Sequence, residues 1–335
     1  MNKLHGVQYL RALGAVGVVV FHAAERSGGH FVIGAAGVDV FFVVSGFIMW
    51  TISQRRPISP LEFFRDRLKR IVPAYWLATA AMVLGGLVGA FPNLTLTLGH
   101  ALGSFFFIPH RSPNGGEIWP VLVQGWTLNY EMFFYAVFAV TLFLRNEARF
   151  IFLSGIFVLL AGAGLAFRFD NPLLATYTNP ALLEFVLGLV IGKLWLAGKM
   201  PSPGTGIAFI AIAVCGFAIV GTTYSGFNPF VLGPLAGLLL IGTLALEKAD
   251  MMPRSKWATY VGDGSYVIYL WHTFAISVAA KITGLLHIPT LAAILISSVA
   301  GIAFGIFMFR LGKSELPALL ALNSKRRRHR AAARS

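Results

Sequence analysis

Ten apolar stretches recur along the chain, at roughly 8–26, 34–52, 72–91, 121–144, 150–167, 180–197, 205–222, 229–246, 264–282 and 289–310. An α-helix needs about 20 mostly apolar residues to cross a bilayer, and inside lipid its backbone must satisfy its own hydrogen bonds. Together these conditions leave one architecture, an all-α polytopic membrane bundle of about ten transmembrane helices. Of 335 residues, 57% are hydrophobic and 12% charged, more apolar surface than a soluble chain of this length could hide. The first stretch has no small-residue cleavage site and runs on into a second span, so it reads as a span and not a removable leader. The single cysteine, Cys215, excludes an internal disulfide framework.

Net charge is +14. With the N-terminus in the cytoplasm and an even number of spans, all of the 27 Lys and Arg except Arg26, Arg111, Arg168 and Lys281 fall on inner segments or their flanks. The positive-inside rule therefore places both termini in the cytoplasm. The basic balance is a topology signal, because nucleic-acid binding would need an exposed basic face on a soluble domain. Residues 1–310 are expected to form the transmembrane domain. Residues 311–335, which include SKRRRHRAAARS, read as a basic, disordered cytoplasmic tail able to touch anionic membrane lipids.

The first span carries Arg11 and His22. Eleven residues make about three helical turns, so the two share a stripe about 16 Å apart in depth. Ionisable groups within a span are costly and point by default to function. The second span opens with Asp39. Antiparallel packing of the two spans predicts Asp39 near the depth of His22, where a carboxylate could orient the imidazole. A polar residue marking the membrane surface would look the same. Between spans two and three, EFFRDRLKR reads as a short interfacial helix, after Pro57 and Pro60. Arg67 and Arg70 are neighbours on one of its faces and could clamp a phosphate, or simply anchor the loop inside.

Further along, HALGSFFFIPH is too short to cross and reads as re-entrant or surface-lying; His100 and His110 read as solvated loop residues. No metal-ligand spacing is present. Glu131 falls within the fourth span. Glu184 opens the sixth, followed by Gly188 and Gly192 at a spacing that permits close helix approach. In the ninth, GDGSYVIYLWHTF places Ser265, Tyr269 and His272 on one face. His272 could be a site residue or a structural one bonded to a neighbouring helix. Arg11, His22, Asp39, Glu131, Glu184 and His272 thus come from five spans. A membrane enzyme with a histidine base would use such a set. So would a proton-coupled transporter of a small solute or glycan precursor, although that class is expected to show inverted repeats and none is visible.

The pattern QYLRALGAVGVVVFHA resembles the start of the acyltransferase 3 family of membrane O-acyltransferases. GVDVFFVVSGFI resembles the family's next block, and FFRDRLKRIVPAYW its basic block with Arg67 and Arg70. GWTLNYEMFFY resembles the block holding Trp126 and Glu131, and SYVIYLWH the final block with Ser265, Tyr266, Tyr269 and His272. The resemblance spans about residues 5–310, and the opening residues and length look most like the ExoZ-like exopolysaccharide acetyltransferases. No additional C-terminal domain of the kind seen in longer members is expected.

The resemblance implies transfer of an acyl group, acetyl first, from cytoplasmic acetyl-CoA or another acyl-CoA to a hydroxyl of an extracytoplasmic or lipid-linked glycan such as exopolysaccharide, in a bacterial inner membrane. No permanently bound cofactor and no metal is implied. Arg67 and Arg70 would hold the CoA phosphates and Arg11 would help place the donor. His22 would act as general base or transient acyl carrier, oriented by Asp39. Glu131, Tyr269 and His272 would line the acceptor side or stabilise the oxyanion, with Trp126, Glu184, Ser265 and Tyr269 contacting substrate.

Overall fold

The computed structural model describes residues 3–55, 57–223 and 228–332, with side chains through Lys313. The described residues form α1 (His5–Arg26), α2 (Gly37–Ser53), α3 (Pro60–Leu87), α4 (Leu98–Phe105), α5 (Trp126–Thr141), α6 (Asn146–Ala166), α7 (Pro172–Tyr177), α8 (Leu182–Leu196), α9 (Pro203–Thr223), α10 (Pro229–Lys248), α11 (Lys256–Leu285) and α12 (Thr290–Ala332). Among them are no strands. Among the described residues, nine stretches are long and apolar enough to cross a membrane, with Val32–Ala36 counted with α2, α7 and α8 counted together and α12 counted as Thr290–Lys313. The chain is a multi-pass, all-α membrane protein. Past Lys313, the tail expected over 311–335 lies outside the described side chains.

α1 and α2 are antiparallel, with Gly14 against Gly37 and Gly17 against Gly34. α1 and α11 are parallel, since Gln8 meets Gly262 and His22 meets His272. Close approach at glycine sets the spacing. A Cβ on Gly37 would lie 2.2 Å from the Gly14 carbonyl oxygen, and one on Gly188 would lie 2.1 Å from that of Val43. Lipid offers helices no hydrophobic incentive to associate, so such backbone contact and its dispersion energy hold α1 to α2 and α2 to α8.

Two expectations change. The basic interfacial helix and the third span are one 28-residue helix, α3. Pro60 sits in its first turn, where a missing N–H costs nothing, and the Ser59 hydroxyl accepts from the Glu62 amide at 3.2 Å. Pro73 lies within α3 without ending it. Arg67 and Arg70 are therefore rigidly joined to the span. The stretch expected to cross at 121–144 is α5, only 16 residues long. It begins inside the bundle, after buried Val121 and Leu122. Its start is pinned by polar contacts: the Gln124 side-chain amide donates to the Thr273 hydroxyl at 2.5 Å, and the Tyr269 hydroxyl donates to the Gln124 carbonyl at 3.0 Å.

Candidate active site

A cavity of ≈ 80 Å³ lies between α1, α2, α3, α5 and α11. Arg11 and Arg70 line it, as do Ser45, Thr127, Glu131, Tyr135, Ser265, Tyr266 and Tyr269. The arginines mark the end nearer the face that holds the N-terminus. Arg11 is buried, and its guanidinium donates to the Gln8 side chain at 3.1 Å. Arg70, Glu131 and Tyr135 all lie within its electrostatic range. The Glu131 carboxylate accepts from the Tyr135 hydroxyl and from the Ser45 hydroxyl, the latter at 3.3 Å. Glu131 therefore belongs with the guanidinium groups, where its negative charge offsets part of their mutual repulsion. Arg67 stands beside the cavity and not on its wall: its guanidinium carbon is 5.7 Å from the Phe63 ring centre, and Nη1 approaches Met49 Sδ at 3.8 Å. The expected pair of phosphate ligands is thus split, with Arg70 facing inward and Arg67 packed alongside.

The α11 stripe is formed as its spacing predicted. Ser265 and Tyr269 line the cavity, and His272 lies one turn beyond, with its ring centre 6.1 Å from that of Tyr269. The Ser265 hydroxyl is buried without a hydrogen-bond partner among the described residues. His272 is fully buried, and its Nδ1 lies 3.1 Å from the Ile268 carbonyl oxygen. Only an N–H can bond there, so Nδ1 carries the proton and Nε2 holds the lone pair. Nε2 has no partner among the described residues. A buried imidazole with its tautomer fixed and its basic nitrogen free is chemically available.

His22 meets His272, with ring centres 5.2 Å apart. The expectation that Asp39 orients His22 is not met. Through the Gly14–Gly37 and Gly17–Gly34 contacts, Asp39 lies level with Ala12, ten residues and about 15 Å below His22. The short 3₁₀ segment Val32–Ala36 precedes α2, so the second helix starts deeper than an uninterrupted span would. Asp39 instead contacts Glu184 of α8, and both are buried. These two, together with Trp126, line a second cavity of ≈ 370 Å³.

Ser45, Thr127 and Tyr135 are cavity residues that were not singled out from sequence, and Tyr266 was named only within the final block. Ser45 had a signal, as a hydroxyl in the middle of an apolar span. Tyr135 had another, one turn from Glu131. His100 and His110 differ from expectation too: His100 is buried and its Nδ1 lies 2.8 Å from His110 Nε2, closing the loop after α4.

An imidazole nitrogen without a partner among the described residues, buried beyond a cavity flanked by arginine, fits a membrane-embedded enzyme that moves a group between substrates. The family model described as an acyltransferase domain matches residues 4–310, and the chain belongs to that family, acyltransferase 3. It is an O-acyltransferase, which resolves the choice between enzyme and transporter. The chain is 56% identical over 263 residues to the exopolysaccharide production protein ExoZ of Rhizobium meliloti, covering 78% of this chain and 83% of that one. It is 26% identical over 313 residues to the O-acetyltransferase OatA of Staphylococcus aureus, covering 80% of this chain but only 50% of OatA. No solved structure matches.

Proposed function

We propose that this protein transfers an acyl group, acetyl first, from cytoplasmic acyl-CoA to a hydroxyl of an exopolysaccharide glycan, extracytoplasmic or lipid-linked, in a bacterial inner membrane with both termini in the cytoplasm. The observation that carries this reading is the cavity itself, with Arg11 and Arg70 toward one face and Tyr269, then His272, toward the other. The names of the relatives support the acceptor class and the O-linked product. The bias of basic residues toward one face supports the orientation.

In this reading Arg70 and Arg11 bind the phosphates of the donor, and the acyl thioester reaches up the cavity. His272 Nε2 takes the proton of the acceptor hydroxyl as its oxygen attacks the thioester carbonyl. The Ser265 hydroxyl, without a hydrogen-bond partner among the described residues, donates to the oxyanion. Collapse breaks the C–S bond, leaves the acyl group on the sugar oxygen, and returns the proton from His272 to the CoA thiolate. His22 packs against His272 and positions its ring. Membranes carrying the protein, given acetyl-CoA labelled in the acetyl group, are expected to pass label to the glycan fraction. Label confined to free acetate, with none in glycan, would refute the reading.

A further inference from the structure

The second cavity lies at the first turns of α2, α5, α8 and α10. It shares Val38 and Phe42 with the arginine-lined cavity, so these two α2 side chains separate the spaces. Asp39, Glu184, Trp126, Tyr130, Asn179 and Asn228 furnish its polar and aromatic lining.

Asp39 and Glu184 are each 2% exposed. Two carboxyls in contact present more acceptor oxygens than they can satisfy between them. No N–H or hydroxyl of another described residue reaches Asp39 Oδ2 or either Glu184 oxygen. Acidic residues in the first turn of a helix are ordinary, since they complement its dipole. That accounts for their charge, but not for two of them facing each other and a cavity with their oxygens unsatisfied, an arrangement that is costly in a dry interior. Each asparagine turns Oδ1 to a helix start, Asn179 accepting from the Ala181 amide at 2.9 Å and Asn228 from the Phe230 amide at 3.0 Å. Their Nδ2 groups remain as donors for a ligand.

We propose that this cavity is the acceptor site and takes a neutral sugar residue, an inference that rests on the acyltransferase reading above. Sugar hydroxyls donate to carboxyl oxygens, ring and hydroxyl oxygens accept from amide Nδ2, and the apolar face of a pyranose stacks on Trp126 or Tyr130. An anionic sugar is disfavoured, because the helix starts already have their carboxylates and a further negative charge would meet both. The hydroxyl to be acylated crosses at Val38 and Phe42. Phe41, next in the chain, packs on Tyr269 at 6.0 Å between ring centres, beside the ring that leads to His272.

The test uses the full chain in nanodiscs, with a panel of methyl glycosides of glucose, galactose and mannose and with methyl glucuronide. Binding is read by tryptophan fluorescence, and label transfer from acetyl-CoA is followed in parallel. At least one neutral glycoside should bind saturably and the glucuronide should not. Glu184→Gln, close in shape, should weaken glycoside binding about tenfold or more, as loss of one charge-assisted hydrogen bond does. Trp126→Ala should weaken it as well, and both variants should bind acetyl-CoA like the wild type, which also shows that they are folded. No saturable glycoside binding, equal binding of the glucuronide, or unchanged affinity in Glu184→Gln would overturn the acceptor site. Glycoside binding without any label transfer by the wild type would leave the site standing and remove the acyltransferase reading beneath it.

Discussion

The imidazole rings of His22 and His272 lie 5.2 Å apart, joining the first and eleventh helices of the bundle. The two residues are 250 positions apart in sequence, yet their helices run parallel and in contact. His272 Nδ1 is held by the Ile268 carbonyl, so its Nε2 is the nitrogen left for chemistry. His22 is the ring that packs beside it. The unusual histidine of the first span thus has a histidine as its partner, not an aspartate.

Arg70 and Arg67 make different contacts and are expected to behave differently. Arg70→Ala should raise the KM for acetyl-CoA about 10- to 100-fold, the worth of a charge-assisted bond to phosphate, with a much smaller change in kcat. Arg67→Ala should move KM less, because its guanidinium rests on Phe63 and Met49. Steady-state kinetics on membranes with varied acetyl-CoA decide this, and equal KM effects in the two variants would count against the split.

Gly188 is expected to be intolerant of even a methyl group. Its added Cβ would lie 2.1 Å from the Val43 carbonyl oxygen, backbone that cannot swing aside. Gly188→Ala should cost about 1–3 kcal/mol by overpacking α2 against α8. Gly99→Ala, with nothing within 4 Å of the new Cβ, should be neutral within about 0.5 kcal/mol. Thermal unfolding of the two variants in detergent compares them directly, and a Gly188→Ala protein as stable as wild type would mean the two helices can separate freely.

Much of this was legible in the sequence, because periodicity and hydropathy report what one helix does. They gave the all-helical membrane fold, the shared stripe of Arg11 and His22, and the Ser265, Tyr269 and His272 face of α11. They do not say which helices are neighbours. Asp39 was matched to His22 on the assumption of uninterrupted antiparallel spans, and the 3₁₀ segment before α2 shifts the register. Glu184, the real partner, comes from a helix that sequence order does not place beside α2. Pro57 and Pro60 read as breakers, yet Pro60 in a first turn starts α3. The burial of His100 depends on a contact with His110 across a turn, which spacing alone does not reveal.

That contact makes the loop after α4 sensitive to acid. Burial, then the neighbouring His110, pushes the pKa of His100 from 6.5 down to about 4. The folded loop favours the neutral ring, so its contribution to stability is full above pH 6.5 and is lost as pH falls from 6.5 through about 4. Hydrogen exchange corrected for intrinsic rates should show residues 98–111 losing protection over that window while the core of α1 does not. Protection unchanged across the same range would contradict the assignment.

The central claim is that His272 Nε2 is the base for acyl transfer, and one substitution isolates it. In His272→Asn the side-chain amide can keep the bond to the Ile268 carbonyl, but nothing replaces Nε2. The measurement is transfer of label from acetyl-CoA to glycan by membranes holding equal amounts of inserted wild-type and variant protein. The account predicts a rate about 10²- to 10⁴-fold lower with donor binding retained. Transfer by His272→Asn at the wild-type rate would contradict it.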